Sequence, residues 1–353
     1  MAYTRSLCRR GLKRRGGGRP CMERLPDDGE ESSRADGGRS RADRGSNRAD
    51  AGPVRVHGVD FSAAADDAGR KTWIASGRID PESGGLRVTE LRPLAELAGI
   101  DGDGRRGVGR EDALPALAAW IRERDESAVV GLDFPFGLPR FVVEETGNES
   151  WRSFISGFPE SIDVDDDSDD PVQAFAERCV ALTGRHGEGT YDKRRTDAAV
   201  GARSPYGFIA DTIAFHGMRD VLAPLVDHVR FAPMDRAGEG WRSGAPPGPT
   251  VVETYPAAVL DRLGLRRTGY KGGGESESAR RRRNAEGLAE AADVAYASGT
   301  ELTDAMASDA GGDALDAVAA CVGAFGAWTR SYETDTAGFD DPEAVALEGY
   351  IYA

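Results

Sequence analysis

The stretch VRVHGVDFS at residues 54–62 is where an ordered pattern begins, and it is typical of a β-strand that ends on an acid, Asp60. Two more strand-like stretches follow closely, KTWIASGRI at residues 71–79 and LRVTELR at residues 86–92. Three consecutive strands with short connections predict an antiparallel meander.

The spacing of apolar residues then changes from a strand pattern to a helix pattern. EDALPALAAWIRER at residues 111–124 carries apolar residues at helical spacing and predicts a helix that returns the chain across the sheet. SAVVGLDFP at residues 127–135 is almost continuously apolar, which favours a buried strand parallel to the first. The pattern therefore predicts an α/β fold with a mixed sheet, an antiparallel meander plus parallel strands, flanked by helices.

The second half begins with a long excursion at about residues 140–247, predicted to be a helical insertion, with an acidic surface loop at residues 161–170. The elements expected in and after it are helices at 171–183 and 207–226, a strand in PTVVETYP (249–256), helices at 256–264, 277–295 and 311–330, and an extended end, EGYIYA. The helix at 311–330 is rich in Ala and Gly, so it could lie close against a sheet.

Composition excludes several classes. No run of 18 apolar residues exists, which excludes a membrane-spanning helix in the sequence. The four cysteines show no zinc-like spacing, so a reduced cytoplasm is the simplest expectation.

Residues 54–353 carry 32 basic and 52 acidic side chains, a net charge of −20, and very few lysines. Such a surface is typical of proteins from a salty cytoplasm, although GC-rich codon usage also favours arginine over lysine.

Residues 1–53 have the opposite character, with 13 basic and 8 acidic side chains and almost no large apolar residues. Such a composition cannot bury enough apolar surface to offset its ordering entropy, so a disordered Arg/Gly-rich tail is predicted. Two interpretations stay open: a basic arm for nucleic acid, and a start codon assigned too far upstream.

Acidic residues recur where the predicted elements end or begin. Asp60, Asp133 and Glu253 end three strands, and Asp313 and Asp316 share one face of the last long helix. Parallel strands that end together would gather these carboxylates at one sheet edge, where like charges need a cation. Oxygen ligands of this kind suit Mg²⁺ or Mn²⁺.

Each acid also has a structural interpretation. Asp133 could bond the backbone of the FPFGLP turn, Glu253 could pair with an arginine, and Asp313 could cap its helix with Asp316 in the first turn. Singly, these interpretations are as good as the functional one. Jointly, they leave unexplained why every predicted parallel strand should end on an acid.

Five motifs resemble those of the domain of unknown function 429 family: GVDFS, LDFPFGLP, VETYPAAVL, YKGG and DALDAVAAC. The resemblance spans residues 54–353 and is weakest over the excursion. Members of that family are described as predicted nucleases with an RNase H-like fold, so the resemblance implies this fold and nuclease activity for the chain. By analogy with the RNase H-like superfamily, it implies that Asp60, Asp133, Asp313 and Asp316 bind two metal ions, with Asp60 bridging. Glu253 also matches a family motif, and the resemblance therefore adds it to the four aspartates as a catalytic residue, but not as a metal ligand.

Phosphates would need cations, and the resemblance points first to Lys271, then to Arg194 and Arg195, with Arg203 nearby. The net charge of −20 argues against tight, generic duplex binding, which depends on counterion release. A small phosphate-bearing substrate, or nucleic acid held by local contacts, fits better. The tryptophans and Tyr255 show no interleaving with basic residues of the kind that forms a stacking surface.

Three functional hypotheses follow. The first is a metal-dependent nuclease or phosphodiester hydrolase, and the second is a non-catalytic nucleic-acid or nucleotide-binding, regulatory module that keeps the fold. The third is an actin-like ATPase, which GVDFSAAADDAG disfavours because it lacks the Gly-rich phosphate loops. A P-loop enzyme is excluded by the absence of GxxxxGK[ST]. Two ions would require the aspartates to converge at one sheet edge, with about 4 Å between the ions.

Overall fold

The computed structural model describes residues 54–100, 107–186, 189–291 and 293–353. The predicted disordered tail, residues 1–53, lies outside the described residues. Within the described ranges, no helix combines the length and the apolar character needed to cross a membrane.

The predicted meander is confirmed. Strands β1 (Arg55–Asp60), β2 (Trp73–Ile79) and β3 (Leu86–Pro93) pair antiparallel in sequence order. Strand β4 (Val129–Leu132) lies parallel to β1 on its other side, as predicted from its continuous apolar run. Asp60 is therefore the last residue of a central strand.

Parallel strands extend the sheet beyond β4. The remaining strands are β5 (Arg230–Ala232), β6 (Arg236–Ala237), β7 (Gly240–Trp241), β8 (Thr250–Thr254), β9 (Val294–Tyr296) and β10 (Ile351–Tyr352). The main sheet has the order β10-β8-β4-β1-β2-β3-β9, β5 also pairs with β8, and β6 and β7 form a separate hairpin. Because β4, β8 and β10 run parallel to β1, their carboxyl ends point to the same edge.

Helices cover both faces of this mixed sheet. They are α1 (Ala68–Lys71), α2 (Leu94–Ala98), α3 (Arg110–Arg122), α4 (Arg140–Glu145), α5 (Trp151–Ser156), α6 (Pro171–His186), α7 (Arg195–Val200), α8 (Ile209–His216), α9 (Ala223–Leu225), α10 (Pro256–Arg262), α11 (Glu275–Ala291), α12 (Gly299–Ser308), α13 (Asp313–Thr329) and α14 (Val345–Glu348). The helix predicted at 207–226 is interrupted by a π-helical segment, Gly217–Leu222. The sequence prediction missed α12 and the short strands β5 and β9.

Two hydrophobic cores lie on opposite faces of the sheet. Val59 and Leu132 face the core that α3 and the excursion cover, whereas Val56 and Val129 face the core formed with α13. Alternating side chains of one strand thus serve both cores, as expected for a strand in a three-layer arrangement.

Helix α13 lies unusually close to the sheet, and glycine makes this possible. A Cβ atom built on Gly58 would lie 2.0 Å from the backbone nitrogen of Cys321. On the neighbouring strand, a Cβ on Gly131 would lie 2.8 Å from the Ala320 carbonyl oxygen. The two glycines let the helix backbone pack directly on β1 and β4, as the Ala/Gly-rich sequence of residues 311–330 predicts.

Candidate functional site

The first two acids of the site stand at adjacent strand ends. Asp60 ends β1 and is 7% exposed, and Asp133 directly follows β4. The backbone N–H of Asp133 donates to the Val59 carbonyl at 3.1 Å, which continues the parallel pairing to the end of β1. This register places both acids at one edge of the sheet, as the sequence predicts.

Helix α13 supplies the other two acids. Asp313 is its first residue, and Asp316 lies one turn later and is buried. Gly312 precedes the helix in a left-handed conformation, and the Asp309 carboxylate accepts a hydrogen bond from the Ala314 N–H at 2.9 Å. Asp309 therefore supplies the capping carboxylate, the role that sequence had offered as an alternative for Asp313.

A loop before α11 brings a lysine and a tyrosine to Asp316. The Lys271 ammonium lies 2.7 Å from Oδ2 of Asp316 and 3.7 Å from Oδ1 of Asp313. The Tyr270 hydroxyl donates to Oδ1 of Asp316 at 2.7 Å. Asp316 is thus the best-partnered acid of the group.

A buried arginine fixes this loop. The Arg281 guanidinium donates to the carbonyls of Tyr270, at 2.6 Å, and Gly272, at 2.8 Å. Its other nitrogens donate to the carbonyl of Ala307. Arg281 belongs to the run of four arginines at 280–283, and it is buried and positions Tyr270 and Lys271.

Electrostatics link the four aspartates. Burial raises the pKa of Asp60 well above its usual range, and the charges of Asp316, Asp133 and Asp313 raise it further. Burial and the charge of Asp316 likewise raise the pKa of Asp133. Among the described residues, no donor forms a hydrogen bond with either carboxylate, so neither has the partner that a buried charge requires.

The same charges favour the ionised form of the basic member of the group, Lys271. Burial lowers the pKa of Lys271, but the charges of Asp316 and Asp60 outweigh it, so the net shift is upward and the ammonium stays charged. If all four aspartates ionise, one ammonium faces four negative charges. An additional cation would relieve this imbalance.

Carboxylate oxygens suit a hard divalent ion, but the spacing of these four side chains does not form a complete coordination shell. In the described part of the chain, no three Asp, Glu, His or Cys side chains lie close enough together to hold one metal ion. The cation within the group is instead the Lys271 ammonium. Carboxylate oxygens are nevertheless the ligands that Mg²⁺ and Mn²⁺ prefer.

Glu253 belongs to a neighbouring ion pair. Its Oε1 and Oε2 lie 2.5 and 2.7 Å from the two terminal nitrogens of Arg194, and Oε2 also accepts the Phe136 N–H at 3.0 Å. Burial raises the pKa of Glu253, and Arg194 opposes this rise. The charge of Glu253 raises the pKa of Asp133. Both carboxylate oxygens of Glu253, however, accept hydrogen bonds from Arg194, which agrees with the structural interpretation that Glu253 pairs with an arginine.

The arginines proposed for phosphate contact have different locations. Arg194 is 0% exposed and also binds the Asp197 carboxylate, so it stabilises the interior and cannot contact an anion from solvent. Arg195 is partly exposed and pairs with Glu348 at 2.6 Å and Asp340 at 3.0 Å. Arg203 is exposed and lines a surface groove. Of the cations that the sequence had suggested, Lys271 is the one beside the aspartates.

Sequence reasoning missed two residues of the site, Tyr270 and Arg281. Tyr270 immediately precedes Lys271 in YKGG, so the sequence shows that the two residues are adjacent. It does not show that the Tyr270 hydroxyl donates to Asp316. Arg281 could not be told from its neighbours in an arginine run, since only packing decides which of the four points inward.

Comparison with known proteins gives a match for one part of the chain. No curated protein and no solved structure shows significant similarity to the chain. Within residues 229–337, however, the chain matches the model of the family described as "Protein of unknown function (DUF429)", a match that includes Glu253, Lys271, Asp313 and Asp316.

Proposed function

We propose that Asp60, Asp133, Asp313 and Asp316 form a divalent-metal site of a phosphodiester hydrolase with an RNase H-like fold, that is, a nuclease. The observation that carries the proposal is the electrostatic imbalance: four buried or half-buried aspartates from β1, the end of β4 and α13 share one ammonium. Such an arrangement costs folding free energy unless a cation compensates.

The topology supports the proposal. An antiparallel meander joined to parallel strands through a central β1 is the sheet that the family resemblance implies. The acids stand at the end of β1, after β4 and on the last long helix, which are the positions carried over by analogy. Because fold alone does not determine function, the argument rests on the acids more than on the sheet.

Each residue has a defined task in this proposal. The four aspartates would hold Mg²⁺ or Mn²⁺, two ions if Asp60 bridges, and bound ions would lower the pKa of a water and stabilise the leaving oxygen. The Lys271 side chain is 55% exposed, so it has room to leave Asp316 and contact a phosphate oxygen. Tyr270 would keep Asp316 oriented through its hydroxyl.

The test measures metal binding and cleavage separately. Isothermal titration with Mn²⁺ should show binding to the wild-type protein and none to Asp60→Asn, while the exposed Asp304→Asn should match the wild type. Mn²⁺-stimulated cleavage of single-stranded, branched or hybrid nucleic acid should disappear in the same variant. Cleavage that survives Asp60→Asn would refute the assigned site.

A second candidate is a non-catalytic nucleic-acid or nucleotide-binding module. The observation that favours it is the Lys271 ammonium, 2.7 Å from Asp316, which already supplies part of the missing positive charge. In that case the wild-type protein binds no Mn²⁺ and cleaves no substrate, yet still binds nucleic acid or nucleotide. The titration above therefore distinguishes the two.

A further inference from the structure

A surface groove of about 490 Å³ lies on the excursion, outside the aspartate group. Its lining consists of Tyr191, Lys193, Arg203, Ser204, Gly207 and Phe208. It brings aromatic and basic side chains together at the surface, a combination that the sequence does not reveal because Tyr191 and Phe208 are 17 positions apart.

The aromatic side of the groove is strongly exposed. Phe208 is 76% exposed and Tyr191 is 49% exposed, with 6.2 Å between their ring centroids and 37° between their planes. Gly207 lies directly beside the Tyr191 ring, since a Cβ on Gly207 would be in van der Waals contact with the Tyr191 Cδ1 at 3.4 Å. Two neighbouring π faces are therefore presented to solvent.

The backbone holds Phe208 in an unfavourable conformation. Its φ is 51° and its ψ is −135°, a combination rare for a bulky side chain. Burial does not compensate for this strain, because the ring points outward. Strain of this kind concentrates at binding sites, where it holds a side chain ready for a partner.

The basic side of the groove is free for an anion. Lys193 and Arg203 are both exposed, and neither forms an ion pair with any carboxylate in the described residues. Most other arginines near the excursion are paired, for example Arg219 with Asp166 and Asp220. Two cations without a carboxylate partner among the described residues therefore lie beside two exposed rings.

A third polar group points to a ligand. Ser204 is 5% exposed, and among the described residues its buried hydroxyl has no hydrogen-bond partner. A buried hydroxyl without a partner costs free energy that a bound acceptor or donor would recover. Lys193 of the groove directly precedes Arg194, whose guanidinium holds the Glu253 carboxylate in β8.

We infer that this groove binds unpaired nucleotides of a single-stranded nucleic acid. Bases stack on Phe208 and Tyr191, and the phosphates contact Lys193 and Arg203. Stacking needs an exposed base face, which a duplex does not offer, and two cations suit a few phosphates better than a long duplex tract. The inference rests on the proposed function, for which it names the substrate class, but binding is testable without cleavage.

The experiment measures binding in the Asp60→Asn protein, where the proposed cleavage is absent. Fluorescence anisotropy of a labelled 12-nucleotide oligo-dT and oligo-rU should give saturable binding. Phe208→Ala and Tyr191→Ala should each weaken it on the order of tenfold, and Phe208→Trp should retain it. Ile209→Ala, which removes an equally exposed apolar side chain outside the groove, should have no effect.

The contribution of Lys193 and Arg203 is measured separately, through the salt dependence of binding. Each phosphate contact contributes roughly 0.7 to the slope of log affinity against log salt for single strands. Lys193→Ala and Arg203→Ala should each lower that slope by about this amount, whereas the exposed Arg283→Ala should leave it unchanged. Circular dichroism checks that every variant is folded.

Several outcomes would overturn the inference. These are no binding to either oligonucleotide, equal affinity for a duplex of the same length, and an equal loss from Ile209→Ala. A dimer that dissociates on Phe208→Ala, without nucleic-acid binding, would assign the rings to self-association. If binding is intact while wild-type cleavage is absent, the groove stands and the proposed catalytic function fails.

Discussion

The Lys271 ammonium lies 2.7 Å from Oδ2 of Asp316, inside a group of four aspartates. The lysine comes from the loop that Arg281 anchors, and the aspartate comes from α13, 45 positions later in the chain. This pair decides how the site behaves without metal, because the lysine provides the nearest positive charge. The first two predictions test that balance.

Removal of the lysine should expose the repulsion among the acids. Lys271→Met should lower the free energy of unfolding by about 1–2 kcal/mol in EDTA, a value discounted because the side chain is 55% exposed. Added Mg²⁺ should then stabilise the variant more than the wild type. Thermal melts with and without Mg²⁺ measure both effects. Arg282→Met, which removes an exposed ion pair with Asp304, is the matched control, and an equal response there would contradict the prediction.

Neutralising Asp60 should have the opposite effect on stability. Burial and the neighbouring aspartates raise its pKa, so stability is lost as the pH rises from the ordinary value of 3.8 to the raised pKa, and the loss is complete above it. Asp60→Asn removes the charge and should stabilise the protein in EDTA at pH 8, by about 1.4 kcal/mol for each unit by which the pKa is raised. Urea unfolding measures this. A destabilised Asp60→Asn would mean that the carboxylate has a stabilising partner.

The buried pair of Arg194 and Glu253 should be structural. Arg194→Met leaves two carboxylates, Glu253 and Asp197, without their partner and should cost about 3–5 kcal/mol. Arg194→Lys should recover little, because an ammonium cannot reproduce the paired contacts of the guanidinium. Arg267→Met, which removes an ion pair with the exposed Asp261, is the control and should cost much less. Unchanged urea midpoints with weakened substrate binding would restore the anion-contact role for Arg194.

Close packing of α13 on the sheet should make Gly58 irreplaceable. Gly58→Ala places a methyl group 2.0 Å from the Cys321 nitrogen, so helix or strand must move, at a cost of about 3 kcal/mol or more. Gly184→Ala, in α6 with open space around it, should instead stabilise by roughly 0.5–1 kcal/mol. Chemical denaturation compares the two variants. Equal stability would show that α13 can shift without loss.

His57 should make the protein acid-sensitive. Burial lowers its pKa from 6.5 to about 3, with smaller contributions from Arg124 and Arg55. The unfolded chain takes up the proton below pH 6.5 while the folded chain does not. The contribution of neutral His57 is therefore fully present above pH 6.5 and is lost as the pH falls towards 3.

The measurement for His57 is a comparison of two unfolding profiles. Relative to His57→Gln, the wild type should lose about 1.4 kcal/mol per pH unit between pH 6 and 4. The imidazole carbon-bound protons should show no titration near pH 6.5 in an NMR series. Parallel profiles of the two proteins would show that the folded state accepts the proton.

Much of the fold follows from local patterns. The meander, β4, β8, α3, α6, α10 and α13 were all predictable, because alternation and helical spacing of apolar residues are properties of short segments. The short strands β5 and β9 carry too few residues for a pattern, and their pairing partners lie elsewhere in the chain. The positions of Asp60 and Asp133 at strand ends could be predicted for the same local reason.

The sequence by itself determined which carboxylates stand at the ends of elements and that α13 is small enough to approach the sheet. Only the tertiary structure decided the partners: Lys271 and Tyr270 for Asp316, Arg194 for Glu253, and Tyr191 beside Phe208. These contacts join residues 17 to 59 positions apart, so no period in the sequence encodes them. Which charges meet and which stay unpaired depends on packing and burial, and in this protein that difference separates a structural ion pair from a candidate site.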